Sequence, residues 1–213
     1  AYQGKPKALT MIKEKYGYKT MVMVGDGATD AQAKPPADAF VGFGGVVSRA
    51  AVKEKACWFV HDFETMCRKL KPNSRRVLID MGASLDFHGT DQPIMELLAE
   101  YEKFGFHFDH IYAFEITFTE PSDVYNNLLP EKYMAAYHWM NVPVNQEEGA
   151  KMNPLHSILQ HFNEDDFIVI KLDIDTSHVE VPLALQLLEG GKNGTYHRLV
   201  DQFYFEHHVH LGN

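Results

Sequence analysis

The chain has 213 residues, 45% of them hydrophobic, and a formal net charge of −9, which allows one large domain or two small ones and argues against a nucleic-acid footprint. Two cysteines are too few for a disulfide framework and point to reduced thiols, so an intracellular soluble setting, cytoplasmic or organellar, is expected. No apolar run reaches the length of a membrane span, and the start at Ala1 reads as a processed or trimmed end.

In chain order, Lys5–Tyr16 predicts a helix with Ala8, Leu9 and Ile12 on one face. Strands follow at Thr20–Val24 and Ala39–Phe43, a short helix at Ser48–Lys55 and a third strand at Cys57–Val60. KLKPNSRR, residues 69–76, has the charge, Pro and Asn of a linker. Beyond it the pattern predicts strands at Val77–Met81, His110–Ile116, Tyr137–Val142, Phe167–Leu172 and Val200–Val209. Helices are predicted at Gln92–Phe104, Asn153–Phe162 and Val181–Leu188. Strands alternating with helices mean a parallel sheet in each half. The expectation is therefore an α/β chain of two Rossmann-like units, over 1–68 and 77–213. The aromatic-rich stretches FGFHFDHIYAFEITF and FYFEHHV read as sheet core. His107, His110, His138 and His161 read as caps or solvent-facing groups.

The run VGDGATD places Asp26 and Asp30 around Gly27 just after a strand. A small residue lets the backbone turn so that both acids reach one spot, and hard oxygen donors suit magnesium. GKPKAL, GDGATD, PPADAFVGFGG and ACWFVHDF, taken in order, resemble the C-terminal part of the phosphoserine phosphatase branch of the haloacid-dehalogenase-like hydrolases. The resemblance implies that Lys5 steadies the phosphate and the aspartyl nucleophile, that Asp26 ligates magnesium, and that Asp30 supports the same site as a catalytic and metal residue. The family's DxDx[TV] nucleophile segment lies well upstream of that lysine, and only four residues precede Lys5 here. The unit is thus expected to be an incomplete half-domain, its sheet completed by an upstream segment, the second half or a protein partner. KLDIDTS, Lys171–Ser177, has D-x-D-x-S spacing and offers a permuted nucleophile, although its flanks fit another family better.

That family is suggested by VLIDMGAS and HIYAFEIT, strands ending in an acid with a glycine turn after the first, as nucleotide-binding sheets begin. With IVIKLDID and FYFEHHV they resemble FkbM-type, S-adenosylmethionine-dependent methyltransferases over roughly residues 75–210. The resemblance implies that Asp80, Gly82 and Ala83 line the methionine end of the cofactor, that Glu115 binds ribose, and that Asp173 sits near the transferred methyl. The family's first loop carries a further glycine, whereas GASLDFHG has Leu85 and Asp86 there. Asp173 and Asp175 with Glu206 and His208 allow either a divalent-metal site or a hydrogen-bonded polar cluster. Three functions stay open: a magnesium-dependent phosphomonoester hydrolase joined to a methyltransferase-like domain, an active O-methyltransferase, and a non-catalytic subunit of a large assembly derived from two enzymes.

Overall fold

The computed structural model describes residues 4–71, 73–87, 93–103, 105–191 and 194–205. The chain divides into two compact units, one of Ala1–Pro72 with Glu96–His107 and one of Asn73–Met95 with Phe108–Asn213.

In the first, helix α1 (Gly4–Tyr16) precedes strand β1 (Val22–Gly25), the short helix α2 (Ala28–Ala31), β2 (Ala39–Phe43), α3 (Ala50–Lys55), β3 (Trp58–Val60) and α4 (Phe63–Lys69). The strands form a parallel sheet in the order β1-β2-β3. The middle strand is the most buried, with Ala39, Phe40 and Val41 inside. Among the described residues β1 is an edge strand, and Val22 is 43% exposed. The α1 face expected to pack stays open: the helix has no buried residue, and Met11 and Tyr16 are exposed. Helix α4 falls where the pattern gave no element. Asp62 nucleates it by accepting the backbone N–H of Thr65 at 2.5 Å.

The second unit opens with β4 (Arg76–Met81), followed by α5 (Pro93–Glu102), which spans the division, and β5 (His110–Phe114). Next come α6 (Pro121–Asp123), which runs into a single π-turn over Val124–Leu128, a 3₁₀ turn over Glu131–Tyr133, and β6 (Tyr137–Met140). Then follow α7 (Pro154–Ser157) with a 3₁₀ turn over Leu159–His161, β7 (Phe167–Leu172), α8 (Ser177–Glu189), α9 (Tyr196–Leu199) and β8 (Gln202–Phe205). All five strands are parallel, in the order β6-β5-β4-β7-β8. β4 lies at the centre, and Val77, Leu78 and Ile79 are fully buried, the apolar run expected of a strand covered on both faces. The chain enters this strand through two anchors. Arg75 holds Asp166 with Nε at 3.0 Å and NH2 at 2.6 Å, and Arg76 holds Asp109 with both groups at 3.1 Å. On edge strand β6, the Tyr125 hydroxyl donates to the Tyr137 carbonyl at 3.2 Å and accepts the Trp139 N–H at 3.1 Å, which satisfies part of an otherwise open edge.

The predicted helix Asn153–Phe162 is two short pieces, because Pro154 starts a turn capped by Asn153 and Ile158 leaves helical geometry at φ −122°. The predicted end of the last strand lies outside the described residues. Phe118 and Tyr204, read as core, are exposed, since both lie past or at the margin of the sheet.

Candidate functional site

The first site grows from the end of β1. Gly25 closes the strand, Asp26 and Gly27 turn the chain, and α2 brings Asp30 back under the turn. Asp30 is 6% exposed, and both of its oxygens are engaged. Lys5 Nζ donates to Oδ1, and the Gly27 N–H donates to Oδ2 at 3.0 Å. Gly25 makes this fold-back possible: a Cβ there would lie 2.2 Å from the Asp30 Cγ. Asp26 stays in solvent and faces Arg49, whose NH1 lies 2.6 Å from Oδ2. The hydrogen bond and charge of Arg49 hold the Asp26 carboxyl below the usual carboxylate range.

Lys5, Asp26 and Asp30, picked from the sequence, therefore meet at one strand end, and Arg49 joins them. Nothing in GGVVSRA marks this arginine by spacing. Among the described residues no group of three or more His, Cys, Asp or Glu side chains is arranged to hold a metal. The donors still fit magnesium in kind, because that ion is commonly held by one or two carboxylates, with water and phosphate oxygens supplying the rest. Asp26 has one oxygen clear of Arg49.

The second site is a crevice of about 640 Å³ at the C-terminal ends of β4, β5 and β7. The sheet order reverses between β4 and β7, and open α/β sheets bind ligands outside the strand ends at such a switch point. Its walls include Gly82, Ser84, Glu115, Ile116 and Asp173. Gly82 has φ +86°, and a Cβ there would stand 1.7 Å from the Asp173 carbonyl oxygen, so close packing of the β4 and β7 loops requires glycine. Glu115 turns its carboxylate back onto the Thr117 N–H at 2.6 Å.

Asp80 lies beneath the crevice, 1% exposed. Lys171 Nζ reaches its Oδ1 at 3.1 Å, the Gly82 carbonyl at 3.0 Å and Asp173 Oδ2 at 3.4 Å. Burial outweighs the attraction of Lys171 and pushes the Asp80 carboxyl up to about 6. Lys171 is raised in turn: Asp80 and Asp173 overcome its own desolvation, so the ammonium stays charged. Lys171 was not singled out from the sequence, although KLDIDT placed it beside the acids. Ala83 is buried and not among the crevice walls, whereas Ser84 is. Asp175 lines the crevice at φ +58°, and the Glu180 carboxylate holds its loop by accepting the Ile174 and Asp175 N–H groups at 2.8 and 3.1 Å. Glu206 and His208 lie outside the described residues, as does the end of GASLDFHG.

The two sites are thus a lysine–carboxylate corner at the end of β1 and a switch-point crevice at the ends of β4, β5 and β7. Comparison with known proteins bears on the first. No protein-family model matches the chain. Phosphoserine phosphatase of Homo sapiens is 50% identical over 68 residues, which are 32% of this chain and 30% of that protein. Phosphoserine phosphatase of Bos taurus is 58% identical over 60 residues, 28% of this chain and 27% of that protein. The chloroplastic phosphoserine phosphatase of Arabidopsis thaliana is 45% identical over 69 residues, 32% of this chain and 23% of that protein. Part of this chain is therefore phosphoserine-phosphatase-like, and the chain spans about 30% of the length of the human relative. A solved structure of DsGPDH of Dunaliella salina overlaps 89% of this chain and 32% of that chain, with 22% identity and a TM-score of 0.32, too low to carry weight. Among the described residues no helix is long and apolar enough to cross a membrane.

Proposed function

We propose that the first unit is the lysine and metal side of a magnesium-dependent phosphomonoester hydrolase site of the phosphoserine phosphatase kind. The observation that carries this reading is the junction of Lys5, Asp30 and the Gly27 N–H at the end of β1. Phosphoryl transfer requires charge on the phosphate oxygens to be neutralised by groups already in place. Lys5 supplies a fixed ammonium there, and Asp30 orients it through a carboxylate that is itself locked by a backbone N–H. Magnesium, held by Asp26 and supported by Asp30, would supply further positive charge at the phosphate. Arg49 must leave the Asp26 oxygen it holds before that oxygen can take a metal. The open edge of β1 and the exposed face of α1 support placing the aspartyl nucleophile on an additional strand beside β1, from a companion segment or chain.

The test is hydrolysis of phosphoserine, with and without magnesium, by this chain alone and by the chain within any longer product of its own transcript. Magnesium-dependent activity in the longer product, lost in Asp26→Asn and Lys5→Ala, supports the reading. A longer product with no activity would favour the non-catalytic assembly subunit instead.

A second reading concerns the other unit. The switch-point crevice with Glu115 and Asp173 on its walls favours an adenosyl cofactor there, with Glu115 on the ribose and Asp173 near the methyl group. Asp80, tied to Lys171 beneath Gly82, would set the floor. S-adenosylmethionine at saturating concentration should raise the melting temperature, by mass action on the folded state. No shift at saturation counts against this reading and leaves the first untouched.

A further inference from the structure

His110 opens β5 and His138 lies on the adjacent β6, where Tyr112 is the direct partner of His138. His110 and Tyr112 share one face of their strand, because side chains alternate. The facing nitrogens, His110 Nδ1 and His138 Nε2, are 3.1 Å apart. Both rings are half-buried. The Tyr112 ring stacks on His138 with centroids 4.7 Å apart and planes 19° apart, and Phe162 lies 6.4 Å from both His110 and Tyr112. The two imidazoles are therefore seated on strands and braced by aromatic neighbours, which holds a ligand pair better than loops do. This pair is separate from the crevice. His110 begins β5 and Glu115 follows its end, so the two are about 16 Å apart along a parallel strand.

We propose that His110 and His138 form a two-imidazole chelate for a late first-row divalent cation such as zinc, nickel or copper, with water completing the coordination. Imidazole suits these metals. Two metal–nitrogen bonds of about 2.0–2.1 Å spanning the 3.1 Å gap open an angle of about 98°, between the octahedral and tetrahedral values. Chelation requires each ring to turn about its Cβ–Cγ bond until both lone pairs aim at one point. No net proton is gained or lost: the ring that donates its N–H across the gap moves that proton to its far nitrogen, and both near nitrogens become ligands.

The charged groups beside the pair are themselves paired. Arg75 sits over Phe162 at 4.6 Å and is held by Asp166. Asp109, next to His110 in sequence, is held by Arg76.

The experiment is a nickel titration of the full chain with His207, His208 and His210 changed to alanine, so that these three histidines do not compete. Imidazole ¹⁵N resonances report on each ring. The expected result is saturable perturbation of the His110 and His138 resonances together, with one equivalent of metal, and loss of that binding in both His110→Gln and His138→Gln. Resonances of both rings unmoved by nickel in the folded parent would overturn the proposal without any variant. Equal nickel binding in the parent and the two glutamine variants would overturn it as well.

Discussion

The two units each place carboxylates at the end of a parallel strand, yet they handle them in opposite ways. At the end of β1, Asp26 stands in solvent against Arg49, and Asp30 is tucked beneath its own turn. At the end of β4, Asp80 is enclosed with Lys171 as its counter-charge. The difference follows from strand position. β1 is an edge among the described residues, whereas β4 has a partner on each side and is covered on both faces. An exposed ion pair is worth little because water screens it. An enclosed pair is costly to build and more costly to break, since removing one partner strands a charge. The Asp26–Arg49 contact of the first site is therefore easily rearranged. The second is a fixed element of its unit.

The chain's two tryptophans, Trp58 and Trp139, fall one in each unit and can report on them separately by fluorescence. The largest effect should come from Gly82→Ala, where positive φ and the Asp173 carbonyl both exclude a Cβ. We expect a loss on the order of 4 kcal/mol in urea unfolding of the second unit, followed by Trp139 with Trp58 replaced by Phe. A loss under 1 kcal/mol would mean the β4 and β7 loops are not packed as described.

Next in size is Lys171→Met, which leaves Asp80 enclosed without its partner and should cost about 3 kcal/mol near pH 8. Burial already raises Asp80 to about 6. Between the unfolded value and that folded value, the folded protein keeps a proton that the unfolded chain has released, so stability falls as pH rises through this window. Without Lys171 the folded value climbs further. The variant should therefore recover part of its loss at pH 5, where Asp80 is protonated. A deficit that is the same at pH 5 and pH 8 would show that Asp80 is not the stranded charge.

Gly25→Ala probes the first unit. The added methyl must push the Asp30 side chain away and part it from Lys5 and the Gly27 N–H. The expected cost is about 2 kcal/mol, read by Trp58 fluorescence with Trp139 replaced. Smallest of all is Arg49→Ala, which should leave the melting temperature unchanged and return the Asp26 carboxyl to the ordinary carboxylate range by NMR titration. A large drop in melting temperature would abolish the contrast between the two sites.

Several of these features were legible in the residues. The apolar runs at Val77–Met81 and Phe167–Leu172 located β4 and β7, two of the three inner strands of the second sheet, and β2 was placed to the residue. GDGATD marked Asp26 and Asp30, because glycine spacing is local chemistry. Lys171 escaped notice because its role depends on register: Asp80 pairs with Lys171 across the sheet, 91 residues away in the chain. His110 and His138 were read as caps or solvent-facing groups, yet they pair across adjacent strands. Helix α4 was missed because its start rests on one capping aspartate, Asp62, within a stretch without clear periodicity.

By itself the sequence determined the alternation of strands and helices, the parallel character of both sheets and the likeness of part of the chain to phosphoserine phosphatases. These follow from periodicity, turn chemistry and short motifs, all of which act between near neighbours. Tertiary structure alone decided which acids are buried, which cation faces each of them and which histidines meet. Those outcomes depend on strand order and register, which bring together residues far apart in the chain and set the dielectric around each charge.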